Sequence, residues 1–274
     1  MGRITAFRFQ RDEFQPFPIE ADNFDQALIQ IGRGTYTVFR LYPGDQVLYL
    51  SKHLERLRHS AALIGMPFPH SDDKLREAIR LAINAVDARQ LRVCLMVTLE
   101  SPDFIFVMLE EFHPIPEHDF RKGVRVSIRN LQREQPDAKD SSFVNIRQQL
   151  KSKQKDFNEI LLVDEQGYII EGSSSNFFTV LNKRLHTADK NILDGITRSI
   201  VLQVAPKIIE VSYSPVHVSD LPNLEEAFLT SSSRGVLPVV EVNGTRIGNG
   251  EPGPITIELH KLFKAQIEAE IESI

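Results

Sequence analysis

Apolar residues fall on two different periods along this chain, and the switches between them outline most of its elements. Around residues 35–50, β-rich residues alternate about a Pro43-Gly44-Asp45 turn, which predicts a hairpin. The period then lengthens. Leu54, Leu57, Ala61 and Ile64 recur at helical spacing with Arg56, Arg58 and His59 between them, which predicts a helix over 51–65. Leu75, Ile79, Ala82, Ile83 and Val86 repeat that pattern over 74–86. Two strand-like runs follow, 92–99 and 104–109, joined by the turn Ser101-Pro102-Asp103.

The polar segment His113-Pro114-Ile115-Pro116-Glu117-His118-Asp119 carries two prolines and reads as a domain linker. Beyond it the pattern predicts a strand over 124–128, an irregular stretch to Lys139 and a helix over 143–155. A hairpin over 159–170 turns at Asp164-Glu165-Gln166-Gly167, and a strand follows over 176–181. Gly195-Ile196-Thr197 opens a helix with Ile200, Val201, Val204, Ala205 and Ile208. Strands over 226–229 and 236–242 precede a last helix from Pro254 to about 273, with proline in its first turn. Strands dominate and helices cover them. The class is α+β in two domains, a smaller one over 1–115 and a larger one over 120–274.

Composition narrows the function. With 274 residues, 42% hydrophobic and 25% charged, the chain can bury one large or two medium cores. A net charge of -5 argues against nucleic acid, which calls for a basic face. The single cysteine, Cys94, sits in the apolar run Leu91-Arg92-Val93-Cys94-Leu95-Met96-Val97 and reads as core. The N-terminal residues lack the apolar run of a signal peptide, and no stretch approaches the length of a membrane span. The expectation is a cytoplasmic protein without membrane or nucleic-acid partners.

Several groups carry possible chemistry. Lys139 follows Pro136-Asp137-Ala138, and a lysine amine attacks carbonyls when it is unprotonated. The alternative is a solvated loop lysine. Lys151, Lys153 and Lys155 lie on a polar helix and read as a solvent face. Glu171 ends the run Tyr168-Ile169-Ile170, where an acid can bond a heteroaromatic nitrogen. After it, Gly172-Ser173-Ser174-Ser175-Asn176 supplies small side chains that let backbone N–H groups approach a ligand. Gly195-Ile196-Thr197 precedes a helix whose N-terminus suits phosphate, unless Thr197 simply caps it. Leu229-Thr230-Ser231-Ser232-Ser233-Arg234-Gly235 is a second hydroxyl-rich turn. Arg56 reads as solvated, or as a phosphate partner. The chain holds no GxGxxG or Walker loop, no His or Cys cluster at metal spacing and no G-x-S-x-G elbow.

Taken in order, these residues resemble the fold-type IV pyridoxal-phosphate enzymes, which include branched-chain and D-amino-acid aminotransferases and aminodeoxychorismate lyases. The resemblance runs from about residue 35 to residue 240. His53-Leu54-Glu55-Arg56-Leu57 is similar to the family's HLxRL helix, and implies that Arg56 contacts the cofactor phosphate. Lys139, followed by Ser142-Phe143-Val144, resembles the Schiff-base lysine in its context. Glu171 in EGSSSNFF corresponds to the glutamate that pairs with the pyridine nitrogen, with Ser175 and Asn176 beside the cofactor. Leu193-Asp194-Gly195-Ile196-Thr197-Arg198 resembles the LxGITR turn, so Ile196 and Thr197 would bind phosphate. Phe228-Leu229-Thr230-Ser231-Ser232 with Pro238-Val239 resembles another family segment and places Ser232 on the phosphate.

The resemblance implies pyridoxal 5'-phosphate as cofactor, a homodimer, and an aminotransferase acting on amino acids and 2-oxo acids. The residues after Lys139, from Asp140 to Arg147, look closest to the branched-chain-like branch. A lyase releasing p-aminobenzoate and pyruvate from aminodeoxychorismate, and a member without catalysis, are the other readings. Arg40, Arg92 and Arg234 are candidates for a substrate carboxylate. No metal is expected.

Overall fold

Nearly continuous burial along Gly34–Arg40 and Leu91–Thr98, whose successive side chains point to opposite faces, lets these strands line a core on each face of one sheet. The computed structural model describes residues 3–11, 13–88, 90–154 and 156–274. Among them, the first sheet runs Glu13–Pro16, Thr5–Gln10, Ile105–Glu111, Leu91–Thr98, Gly34–Arg40, with every pairing antiparallel. On one face, the helices Leu50–Leu63 and Asp72–Asn84 pack Leu54, Leu57, Leu75 and Ile79 against Phe39, Leu95 and Val107. On the other, the helix Phe24–Ile31 and Val144 pack with Tyr36, Cys94 and Met96. Cys94 is buried, and burial raises its thiol pKa, so it stays a neutral core residue.

The second sheet runs Glu210–Ser212, Arg184–His186, Asn176–Leu181, Glu226–Ser231, Gly235–Val242, Val124–Asn130, Glu159–Val163, Ile169–Gly172, with Thr245–Arg246 added on Gly235–Val242. Its core gathers Val126, Leu161, Phe177, Leu229, Leu237 and Val239. The helix Ile196–Val204 contacts the strand Glu226–Ser231. Among the described residues no helix is long and apolar enough to cross a membrane.

The chain groups into two compact units. One holds the residues up to His113, Ala138–Gln148 and Glu270–Ile274. The other holds Pro114–Asp137 and Gln149–Ala269. A single boundary between 115 and 120 therefore does not describe the grouping, because a central segment and the C-terminal residues pack with the first unit.

Three local expectations are corrected. The residues around Pro43-Gly44-Asp45 do turn, with Tyr42 N–H donating to the Gln46 carbonyl at 2.8 Å, but no extended hairpin forms. Gly34–Arg40 pairs with Leu91–Thr98, and Gln46–Leu48 pairs with the C-terminal strand Ile271–Ser273. The last helix accordingly ends at Glu270, because the open edge of Gln46–Leu48 takes the residues beyond it. The linker contains a short helix, Glu117–Lys122, preceded by Pro116. The helix Phe24–Ile31, capped by Asn23 accepting from the Gln26 N–H, has no counterpart among the sequence expectations. The helix after Phe143 spans Val144–Lys153, and Lys155 lies outside the described residues.

Candidate active site

In the N-terminal unit, backbone hydrogen bonds lay Lys139 alongside the strand Gly34–Arg40. Tyr36 N–H donates to the Lys139 carbonyl at 3.1 Å, and Ser141 N–H to the Gly34 carbonyl at 2.8 Å. Lys139 N–H donates to Ser60 Oγ at 3.0 Å. The Lys139 Nζ stands 4.9 Å from the centroid of the Tyr36 ring, a cation–π distance. The ring is itself held. Arg147 donates to Tyr36 Oη at 3.1 Å and to Asp25 Oδ2 at 3.0 Å. Burial works against the charge on Arg147, but Tyr36 and Asp25 more than offset it and raise its pKa.

Arg56 lies on the helix Leu50–Leu63 and donates to Thr37 Oγ1 at 3.2 Å. The same hydroxyl is 2.8 Å from His53 Nδ1. Burial, and then the charges of Arg56 and Lys139, push the His53 pKa well below its ordinary value, so the ring is neutral near pH 7. The first part of the HLxRL segment thus supports Arg56 through a shared threonine hydroxyl.

In the other unit Glu171 is the penultimate residue of the strand Ile169–Gly172 and is 3% exposed. Arg133 Nη1 donates to its Oε1 at 3.1 Å, while Leu193 N–H and Asn176 Nδ2 reach its Oε2 at 3.1 and 3.5 Å. Asn176 Nδ2 also donates to the Leu193 carbonyl at 2.8 Å. A Cβ on Gly195 would stand 2.1 Å from Asn176 Oδ1, so only glycine lets the helix start approach this side chain. Glu171, Asn176, Leu193 and the start of the helix Ile196–Val204 form one connected assembly.

That helix begins at Gly195 with no side-chain cap, and Ile196 and Thr197 at its first positions are buried. Thr197 is not its cap. An uncapped helix N-terminus offers N–H donors and positive dipole to an anion. Thr230, paired across the sheet from Asn176, is 1% exposed, and its Oγ1 has no hydrogen-bond partner among the described residues. Ser232 is half-buried in the following turn. Anion donors and a buried acid on one assembly fit a phosphorylated heteroaromatic cofactor.

Other named residues are already engaged. The hydroxyls of Ser173, Ser174 and Ser175 all donate to Glu159, at 2.6, 2.6 and 3.0 Å. Arg234 is paired with Glu159 at 2.7 Å, Arg92 is ion-paired with Glu110, and Arg40 lies 4.6 and 4.2 Å from the Tyr42 and Phe112 ring centroids. Sequence reasoning passed over Arg133, Tyr36, Arg147 and Glu159. For Glu159 a signal existed, since a carboxylate heads the otherwise apolar run Glu159–Val163. Among the described residues no His, Cys, Asp or Glu cluster could hold a metal.

This fold is that of the fold-type IV pyridoxal-phosphate enzymes. The branched-chain amino acid aminotransferase of T.th., solved with pyridoxamine 5'-phosphate, superposes with a TM-score of 0.83 at 22% identity, covering 98% of each chain. The chain belongs to the amino-transferase class IV family, whose model matches residues 34–242. It is 28% identical to a putative branched-chain-amino-acid aminotransferase of Methanocaldococcus jannaschii over 88% of this chain and 89% of that one. It is 29% identical to the D-alanine aminotransferase of Listeria monocytogenes over 87% and 88%.

Proposed function

We propose that this protein is a pyridoxal-phosphate-dependent aminotransferase of the branched-chain type, moving an amino group between an amino acid and a 2-oxo acid. The observation that carries the reading is the buried Glu171, held by Arg133 and Leu193 on the assembly that also presents an uncapped helix start. Curated relatives named as branched-chain aminotransferases support the substrate class.

Pyridoxal 5'-phosphate, when bound, supplies an electron-accepting ring and a carbonyl carbon for the substrate nitrogen. Lys139 would hold it covalently through Nζ. The same nitrogen would take the α-proton of the amino acid and return it, as general base and then general acid. The Glu171 carboxylate would hold a proton on the ring nitrogen, and Arg133 keeps that carboxylate oriented. By the family resemblance, Arg56, the N–H groups at Ile196 and Thr197, the Thr197 hydroxyl and Ser232 would hold the phosphate. Asn176 positions Glu171 and the Leu193 segment. Neither Arg234 nor Arg92 enters as the substrate-carboxylate receiver, because each is ion-paired. The reading also takes a homodimer in the cytoplasm, and light scattering of the purified protein tests the dimer.

The deciding experiment is the visible spectrum of purified protein with a panel of L- and D-amino acids. A cofactor band bleached by branched-chain L-amino acids supports the reading. The D-alanine aminotransferase relatives make D-alanine the second donor to try, and bleaching by it alone would move the substrate to that class. Production of p-aminobenzoate from aminodeoxychorismate without bleaching would replace transamination by lyase chemistry.

A further inference from the structure

The Glu159 carboxylate is fully buried, at 0% exposure, and collects donors from side chains and backbone alike. Its Oε1 accepts from Ser173 Oγ at 2.6 Å and from Ile160 N–H at 2.9 Å. Its Oε2 accepts from Ser174 Oγ at 2.6 Å, Ser175 Oγ at 3.0 Å and Arg234 Nη2 at 2.7 Å. Arg234 extends the set. It donates to the Ser174 carbonyl at 3.3 Å and to Asn158 Oδ1 at 3.3 Å, and its Nε donates to Ser231 Oγ at 3.2 Å.

One ion pair therefore ties together two turns. The first, Gly172-Ser173-Ser174-Ser175, has Glu171 before it and Asn176 after it. It is tight: Gly172 N–H donates to the Ser175 carbonyl at 2.7 Å, and a Cβ on Gly172 would stand 2.2 Å from Ser175 Oγ. The second turn, after the strand Glu226–Ser231, carries Ser232.

We infer that Glu159 and Arg234 are positioning residues for cofactor binding, acting as a clamp that sets Glu171 and Asn176 on one turn and Ser232 on the other. The inference rests on the proposed roles of Glu171 and Ser232. It gives the three serine hydroxyls a framework role, since all three donate to Glu159. Burial by itself would raise the Glu159 pKa, but Arg234, Lys151 and the serine hydroxyls pull it below the usual carboxylate range, so the clamp stays charged.

The test has two parts, on R234K, E159Q and, as a control, K261A at an exposed ion pair. Hydrogen exchange on cofactor-free protein reads the clamp directly. In R234K, amides of 172–176 and 231–235 should exchange faster together, while the control stays like the parent. Titration with pyridoxal 5'-phosphate then reads the consequence. The variants should bind about tenfold more weakly or worse, the scale of a lost hydrogen bond to a charged group, and with a shifted absorption maximum. If E159Q does not fold, R234K carries the test, because it keeps the charge at position 234. Protection lost in one turn alone, or unchanged affinity and spectrum in folded R234K, overturns the inference. Failure of the parent protein to bind pyridoxal 5'-phosphate would sink the proposed function instead, and the exchange result would still judge the clamp.

Discussion

His53 in the N-terminal unit and Glu159 in the other are both buried ionisable groups with lowered pKa values, yet the causes are opposite. For His53, burial is the cause: the cationic ring is penalised, the charges of Arg56 and Lys139 add to the penalty, and the residue is neutral. For Glu159, burial pushes the other way, and Arg234 with the serine donors overrides it, so the residue is charged. A neutral histidine supports Arg56 through Thr37 without placing a second cation beside it. A charged glutamate draws donors from two separate turns, which a neutral acid would not do. Burial sets the penalty in both places, and the partners decide whether the group ionises.

The largest expected effect comes from removing the proposed nucleophile on the His53 side. Lys139→Ala should reduce transamination to background in a steady-state assay while the cofactor-free protein melts cooperatively, and retained turnover would remove Lys139 from the mechanism. Breaking the other region should instead cost stability. Arg234→Gln leaves a carboxylate of 0% exposure without its cation and should destabilise by about 3–5 kcal/mol in urea unfolding. A loss below about 1 kcal/mol, the range of exposed pairs, would mean the pair is not buried in solution.

Acid titration of stability separates the two groups more finely. Both folded values lie below the ordinary ones, 6.5 for His53 and 4.5 for Glu159, so in both cases the unfolded chain binds protons first as pH falls. Stability linked to His53 is complete above about 6.5 and declines below it towards the folded value. Stability linked to Glu159 is complete above about 4.5 and declines only below that. His53→Gln should flatten the first window alone and Glu159→Gln the second alone, and an unchanged slope in either variant would refute that assignment. The smallest effect is the control, Lys261→Ala, whose exposed pair with Glu258 should change stability by less than about 1 kcal/mol.

Much of the fold was legible where the code is local. The helices Leu50–Leu63 and Asp72–Asn84 announce themselves through helical spacing, and the turn at Asp164–Gly167 through an aspartate whose Oδ1 accepts from Gln166 and Tyr168 N–H groups. The expected hairpin over 35–50 failed because turn residues specify a reversal, not which strand pairs beyond it. The partners of Gly34–Arg40 and Gln46–Leu48 come from residues 91–98 and 271–273. The EGSSSN segment was visible, but in sequence its small residues look like neighbours of a ligand. Their hydroxyls face Glu159, a contact that no pattern in the sequence announces.

By itself the sequence determined the family and the inventory of reactive groups, because short motifs carry an acid, an amine and phosphate-suited turns in a fixed order. Tertiary structure decided which of those groups face one another. Strand pairing selects the face on which each side chain emerges, and Glu159 and Arg234 stand 75 positions apart in the chain, beyond the reach of any local period.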